Sequence, residues 1–99
     1  MSVDIALERD TKFKLDRPKK YCVVFLNDDY TPMDFVIQVL MEIFHHDEMK
    51  ALAITMSIHN TGKGVAGIYT HEIATQKATE TVMIAKKFKH PLRAIVEPE

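Results

Sequence analysis

The 99-residue sequence has one cysteine and almost no net charge, and each of these features excludes a class of protein. A single thiol cannot form an internal disulfide, so a disulfide-stabilised scaffold is excluded. Cys22 lies in an apolar run, where we expect it to be buried, and a lone thiol suits a reducing compartment. Thirteen basic and fourteen acidic side chains give a net charge of −1, which offers no electrostatic footprint for nucleic acid or an anionic membrane.

Long apolar segments are also missing from the sequence. No run approaches the roughly 18 residues that are needed to span a bilayer. The N-terminus, MSVDIALERD, has acidic residues where a signal peptide would have a basic and then an apolar region. We therefore expect a cytoplasmic protein.

The sequence lacks the motifs of common catalytic sites. The glycine-lysine-glycine segment 62–64 does not have the spacing of a Walker phosphate loop, so a connection between a helix and a strand explains it better. His45, His46 and Asp47 do not suit a metal site, because two adjacent histidines on a helix point in different directions. No Ser or Cys has an evident base, and no cofactor is expected.

The distribution of charge divides the chain into two segments. Residues 1–20 carry ten charged side chains and only scattered large apolar groups. Such a segment gains too little burial to offset its ordering entropy, so residues 1–19 are predicted to be a flexible tail. Residues 20–99 are predicted to form one domain, since a chain of this length has no room for a second core.

The second segment predicts strands and helices in alternation. Strands are expected where β-branched and aromatic residues run together, and helices where apolar residues recur every three or four positions. We expect Thr31 to cap the first helix, Pro32 to take its first position and Asp47 to cap the second helix. The predicted elements are strand 21–26, helices beginning near 31 and 47, strand 65–69, a helix beginning after Thr70, and strand 92–96.

This order, β-α-α-β-α-β, predicts an α+β fold. We expect a three-stranded antiparallel sheet with helices packed on one face, preceded by the flexible N-terminal tail. The apolar spacing also predicts the buried faces of the helices. The expected faces are Met33, Val36, Ile37, Leu40, Ile43 and Phe44 in the first helix, Met49, Leu52, Ala53, Met56 and Ile58 in the second, and Ile73, Ala74, Ala78, Thr81, Val82, Ala85 and Phe88 in the third.

A cluster of polar residues follows the first strand. Asn27, Asp28 and Asp29 end this strand, and His59 lies near the end of the second helix. Asn and Asp commonly form Asx-turns, and His is favourable at a helix C-terminus, so a structural role explains these residues. Alternatively, their acceptor atoms beside the apolar Met33 would suit an ammonium group attached to an apolar side chain. The residues alone leave both interpretations open, and neither implies catalysis.

Longer stretches of the sequence resemble a known family. The segment NDDYTPMDFVIQVL, residues 27–40, is similar to the signature of the ClpS family, adaptors of the Clp ATP-dependent protease. The resemblance covers about residues 20–96 in the family's order and spacing. It continues through SIHNTGKGVAG (57–67), IYTHEIA (68–74), Lys77 and HPL (90–92).

The resemblance implies a binding protein rather than an enzyme. Members of the family recognise substrates of the bacterial N-end rule, which have Leu, Phe, Tyr or Trp at the N-terminus, and deliver them to the ClpA unfoldase of the ClpAP protease. An α-amino site is implied at Asn27, Asp28 and His59. The implied side-chain pocket consists of Thr31, Pro32, Met33, Val36, Thr55, Ile58 and Leu92.

The resemblance also implies how the protein meets its partner. Glu72 and Lys77 match residues that face the ClpA N-terminal domain, and the tail 1–19 would engage the unfoldase during delivery. Residues 74–77 are ATQK, where members of the family usually have AETK. The acidic side chain of that segment is missing here, which leaves the strength of the contact with ClpA open. We expect the protein to be a monomer.

Two further positions depart from the family pattern. Thr55 stands where members commonly carry Met, and because Thr is smaller, the pocket is expected to admit N-terminal Ile or Val. Ala66 replaces a buried Cys, a change in packing from which no functional consequence follows.

Two other functions remain open from the sequence. One is an adaptor that docks on the Clp ATPase and modulates its choice of substrate without strict N-terminal recognition. The other is a small metal-dependent hydrolase that uses His45, His46, His59 and Asp28, which would require a bound divalent ion.

Overall fold

The segment Lys20–Leu26 forms the central strand, β1, of a three-stranded antiparallel sheet in a computed structural model that describes residues 18–99. The predicted tail 1–19 lies outside the described residues except for Pro18 and Lys19. The remaining elements are α1 (Met33–Glu42), α2 (Glu48–Thr61), β2 (Lys63–Thr70), α3 (His71–Lys87) and β3 (Arg93–Pro98). The predicted α+β fold and its order of elements are confirmed.

The order of strands in the sheet is β2-β1-β3, and both pairs are antiparallel. The central position of β1 explains its sequence, because Val23, Val24 and Phe25 are all almost completely buried. β2 carries a bulge at Ala66, since Val23 pairs with Gly67 but Val24 pairs with Val65. The carbonyl of Ala66 accepts a hydrogen bond from His46 Nε2, which ties the bulge to the segment between α1 and α2.

The three helices and one face of the sheet enclose the hydrophobic core. Val23 and Phe25 contribute from β1, Val36, Val39 and Leu40 from α1, and mainly small residues from the other helices. Asp47 caps α2 as predicted, since its Oδ1 accepts a hydrogen bond from the Lys50 N–H at 2.7 Å. None of the helices among residues 18–99 is long and apolar enough to cross a membrane.

The buried face predicted for α2 is wrong. Of its predicted residues only Ile58 is buried; Met49, Leu52, Ala53 and Met56 are exposed, and the helix buries Ala51, Ile54 and Thr55 with Ile58. Likewise α3 buries Ala74, Ala78, Thr81 and Ala85, as predicted, but leaves Ile73 and Phe88 exposed. Small residues are buried in both helices because they allow the helix axes to come close to their neighbours. Cys22, predicted to be buried, is only half-buried on β1.

Candidate functional site

A cavity of about 240 Å³ opens where the end of β1, the start of α1, the second half of α2 and the residue before β3 meet. Nine of the ten residues predicted for the α-amino site and the side-chain pocket line it; Pro32 does not. Pro32 instead stands directly before α1, where its carbonyl accepts the N–H groups of Phe35 and Val36. The lining residues are Leu26, Asn27, Asp28, Asp29, Thr31, Met33, Val36, Thr55, Ile58, His59 and Leu92.

Two backbone hydrogen bonds bring the distant parts of this lining together. The Asn27 N–H donates to the Gly62 carbonyl at 2.9 Å, which holds the end of β1 against the end of α2. Gly62 ends α2 in the left-handed conformation, with φ 95°, and its own N–H donates to the Ile58 carbonyl at 2.9 Å. Glycine suits this position because other residues adopt positive φ only at a cost. The last turn of α2, with Ile58 and His59, is therefore fixed beside Asn27.

The carboxylate of Asp28 organises the turn between β1 and α1. Its Oδ1 accepts the N–H groups of Tyr30 and Thr31 at 2.8 and 2.7 Å, and its Oδ2 accepts the Thr31 hydroxyl at 2.8 Å. The predicted capping of α1 by Thr31 is wrong, because this hydroxyl bonds Asp28 and no side chain caps the helix. A carboxylate has roughly four acceptor positions, so three internal bonds fix its orientation and leave about one position for a ligand.

The same hydrogen bonds determine the charge of Asp28. Partial burial acts to raise the pKa of its carboxyl, but the N–H groups of Thr31 and Tyr30 and the Thr31 hydroxyl favour the ionised form, and His90 adds an attractive charge. The net effect lowers the pKa of Asp28 below its ordinary value of 3.8. The cavity therefore carries a fixed negative charge at neutral pH.

This lowered pKa predicts how stability depends on pH. Because the pKa of Asp28 is lower in the folded state, ionised Asp28 stabilises the fold above the unfolded-state value of 3.8, and this contribution is lost as the pH falls through the folded-state pKa. Asp28→Asn should therefore be less stable than the wild type at neutral pH, with a difference that shrinks only below pH 3.8. Urea unfolding across this range measures it. Thr31→Val, which removes one of the three bonds, should show a smaller effect of the same kind; a difference that does not change with pH would contradict the assignment.

The interior of the cavity is apolar. Val36, Ile58 and Leu92 are buried in its walls, and Met33 lies nearer the mouth with 38% of its surface exposed. Thr55 is 2% exposed, but its hydroxyl donates to the Ala51 carbonyl at 2.8 Å and so needs no partner in the cavity. Among residues 18–99, every buried side-chain nitrogen or oxygen has a hydrogen-bond partner. An apolar group is thus the ligand that this interior would bind.

Polar groups are concentrated at the rim. Asn27, Asp29 and His59 are exposed and Asp28 is half-buried, so amide, carboxylate and imidazole groups border the apolar interior. Leu26 and Asp29 also line the cavity. Asp29 belongs to the predicted polar cluster but not to the implied α-amino site, and Leu26 belongs to neither. The signal for Leu26 is its position at the end of β1, next to Asn27.

The two residues predicted to face the partner differ in their environments. Glu72 is exposed in the first turn of α3. Lys77 is half-buried, and its Nζ donates to the Ile43 carbonyl at 2.7 Å. The same ammonium lies 5.7 Å from the centre of the Phe44 ring and 5.4 Å from that of Tyr69. Lys77 therefore joins α3 to the end of α1.

Replacing Lys77 with Met is expected to lower the free energy of unfolding by about 1–3 kcal/mol. The variant keeps an unbranched apolar stem but loses the charged hydrogen bond to Ile43 and the contacts with two aromatic rings. Denaturant unfolding monitored by circular dichroism measures the change. Lys87→Met, at an exposed position in the same helix, is the matched control and should change stability by less than about 1 kcal/mol. Equal effects of the two substitutions would contradict this role for Lys77.

The residues of the hydrolase alternative do not form a metal site. Among residues 18–99, no three His, Cys, Asp or Glu side chains are grouped so that they could hold a metal ion. His46 Nε2 is bonded to the Ala66 carbonyl, and Asp28 is bonded within its own turn. This geometry does not favour metal-dependent hydrolysis.

Comparison with known proteins agrees with the geometry. A sequence profile described as "ATP-dependent Clp protease adaptor protein ClpS" matches residues 16–95. An adapter protein ClpS from Acetivibrio thermocellus is 40% identical over 99 residues, the whole of both chains. One from Helicobacter hepaticus is 49% identical over 92 residues, 93% of each chain.

A solved structure has a similar fold. It is Agrobacterium tumefaciens ClpS2 bound to L-phenylalaninamide, with a TM-score of 0.81 and 40% sequence identity. The alignment covers 84% of this chain and the whole of that chain. These relatives are named as adaptors of a protease rather than as enzymes. The chain therefore belongs to the ClpS family of ATP-dependent Clp protease adaptor proteins.

Proposed function

We propose that this chain is a cytoplasmic, non-enzymatic adaptor of the bacterial N-end rule pathway. It binds proteins with Leu, Phe, Tyr or Trp at the N-terminus and delivers them to the ClpA unfoldase of the ClpAP protease. The observation that carries the proposal is the cavity with an apolar interior and hydrogen-bond acceptors at its rim. An N-terminal residue with a large apolar side chain has the complementary arrangement, a cationic amino group next to an apolar group.

The rim suits a free α-amino group. Such a group has a pKa of roughly 7.7–8.0, so at neutral pH it is mostly an ammonium with three donors. Asn27 Oδ1, Asp28 and a ring nitrogen of His59 would supply three acceptors, since all three residues line the cavity. An internal peptide N–H has one uncharged donor and would leave acceptors without partners. The site thereby rejects chain interiors and acetylated N-termini.

The interior suits one apolar side chain. Its volume of about 240 Å³ is smaller than the roughly 300–1,000 Å³ of pockets for drug-sized ligands. Burial of a Leu or Phe side chain there contributes roughly 1.5–3 kcal/mol. A Lys or Glu side chain would lose its solvation among Val36, Ile58 and Leu92 without gaining a partner.

The similar structure of ClpS2 supports this assignment. L-phenylalaninamide has a free α-amino group, a Phe side chain and an amide in place of the carboxylate, so it is chemically equivalent to an N-terminal Phe. At 40% sequence identity and a TM-score of 0.81, the comparison favours a ligand of the same class for this chain.

For delivery we propose a surface around Glu72 and Lys77 that contacts the ClpA N-terminal domain. Glu72 is exposed and is available for a direct ionic contact. The ammonium of Lys77 is already bonded to the Ile43 carbonyl, so Lys77 contributes mainly by holding α3 against the end of α1 beneath this surface. The tail 1–19, which lies almost entirely outside the described residues, is proposed to engage the unfoldase.

A degradation assay with purified ClpAP tests the proposed function. Adding the chain should accelerate degradation of a reporter with an N-terminal Phe but not of the same reporter with an N-terminal Met. Glu72→Gln should weaken ClpA association and acceleration together, whereas Glu80→Gln, at another exposed position of α3, should change neither. Equal acceleration of both reporters would favour the docking modulator without N-terminal recognition.

A further inference from the structure

The close contact between α2 and β2 occurs at Gly64. A Cβ atom at this position would lie 2.8 Å from Ile58 Cγ1, 3.3 Å from the Ile54 carbonyl oxygen and 3.6 Å from Ile58 Cδ1. The first of these distances is shorter than any van der Waals contact. Gly64 does not have the positive φ of Gly62, so its backbone does not require glycine. Glycine is needed at position 64 because the absence of a side chain leaves room for Ile58.

The Ile58 side chain fills the room beside Gly64 and also lines the cavity. This side chain is almost completely buried, and the neighbouring His59 forms part of the rim. The position of the Ile58 side chain therefore determines how much of the cavity remains open to a ligand.

The backbone of Ile58 cannot move easily to relieve a contact at residue 64. The Gly62 N–H holds the Ile58 carbonyl, and the Asn27 N–H holds the Gly62 carbonyl, both at 2.9 Å. Added volume on β2 would therefore displace mainly the side chain of Ile58, since the Ile54 carbonyl oxygen at 3.3 Å needs to shift by only a few tenths of an ångström. Because Ile58 also lines the cavity, such a displacement takes space from the cavity.

We propose that Gly64 is a positioning residue that sets the size of the cavity by keeping Ile58 back from it. This inference rests on the proposed function, because it concerns which first residues the cavity admits. A side chain at position 64 narrows the cavity and discriminates against large N-terminal residues. Trp and Phe lose more affinity than Leu, since they need more of the space that Ile58 leaves free.

The test is a titration of Gly64→Ala with peptides that differ only in an N-terminal Trp, Phe or Leu. We expect the affinity for the Trp and Phe peptides to fall by about tenfold relative to the Leu peptide. Ile58→Ala removes Cγ1 and Cδ1, two of the three atoms that the new Cβ would meet, and leaves only the looser contact with the Ile54 carbonyl oxygen at 3.3 Å. In the Ile58→Ala background, adding Gly64→Ala should therefore leave the ratio of Phe to Leu affinity unchanged.

Gly67→Ala is the matched control on the same strand. A Cβ there would meet the side chain of Tyr69, which does not line the cavity. Gly67→Ala should reduce stability but leave the affinity ratios at their wild-type values. A general disturbance of β2 would change the ratios in both glycine variants, and that result would overturn the proposal.

The remaining outcomes are also decisive. If Gly64→Ala does not fold, Ile58→Val supplies the test: it removes one methyl group from the cavity wall, so it should raise the affinity for the Trp and Phe peptides relative to the Leu peptide, and unchanged ratios would contradict the proposal. If the wild type binds these peptides and folded Gly64→Ala keeps the wild-type ratios, this inference fails while the proposed function stands. If the wild type binds none of them, the proposed function fails and the inference fails with it.

Discussion

Replacing Asp28 with Asn is expected to lower the affinity for a peptide with an N-terminal Phe by about ten- to a hundredfold, the range expected for the loss of a charge-assisted hydrogen bond. Fluorescence anisotropy at neutral pH measures the change. Asn is the appropriate replacement because its Oδ1 can still accept the N–H groups of Tyr30 and Thr31. Asp28→Ala would remove all three bonds of the turn and so confuse loss of binding with loss of the turn.

Substitutions of two other carboxylates serve as a control and as a comparison for this experiment. Asp34→Asn, at an exposed position in the first turn of α1 outside the cavity lining, is the control and should leave affinity unchanged. Asp29→Asn shows whether the second carboxylate at the rim also contributes to binding. If Asp28→Asn binds the Phe peptide as tightly as the wild type, Asp28 has only its structural role in the turn.

Peptides with an N-terminal Ile or Val are expected to bind about tenfold or more tightly than a peptide with an N-terminal Ala, as burial of the extra apolar groups would give. The reason is Thr55, which is buried in the cavity wall with its hydroxyl bonded to Ala51. Members of the ClpS family commonly carry Met at this position. Thr is smaller than Met, so an N-terminal residue branched at Cβ has more room in the cavity.

Thr55→Met should remove this preference while preserving the affinity for a Leu peptide better than that for an Ile or Val peptide. Leu52→Met, on the exposed side of the same helix, controls for the introduction of a methionine into α2. Wild-type affinities for Ile and Val peptides that are no better than that for the Ala peptide would show that Thr55 does not widen the cavity.

The elements of the fold could be predicted from the sequence because their signals are local. The run 21–26 is almost continuously apolar since β1 is the central strand, buried where Val23, Val24 and Phe25 lie. The cap at Asp47 is equally local, because a carboxylate there reaches an N–H three residues later.

The buried face of α2 could not be predicted in this way. Large apolar residues such as Leu52 and Met56 suggested one face, but the helix packs Ile54 and Ile58 closely against β2 at Gly64. The distance between a helix and its neighbours depends on the whole fold, so it cannot be predicted from the spacing of apolar residues along the sequence.

The candidate site was predicted only in part from the residues themselves. Both interpretations of Asp28 have a structural basis, because Asp28 forms an Asx-turn with Tyr30 and Thr31 and also lines the cavity. The proximity of His59 depends on the bond between Asn27 and Gly62, a long-range contact that no local pattern reveals. The resemblance to a family provided that connection.

The contacts of Lys77 could not be predicted from the sequence either. The resemblance placed Lys77 at a partner-facing surface, but its ammonium lies against Ile43, Phe44 and Tyr69. These three residues are distant from Lys77 in the sequence or lie on other elements, so the contacts depend on tertiary packing.

Binding of a peptide series with and without N-terminal acetylation tests the central claim most directly. The peptides differ only in their first residue, and each is measured with a free and an acetylated N-terminus. We expect Leu, Phe, Tyr and Trp peptides to bind, Lys and Glu peptides to bind weakly, and acetylation to reduce every affinity by about tenfold or more. Equal affinity of the free and acetylated Phe peptides would contradict recognition of the α-amino group by Asn27, Asp28 and His59.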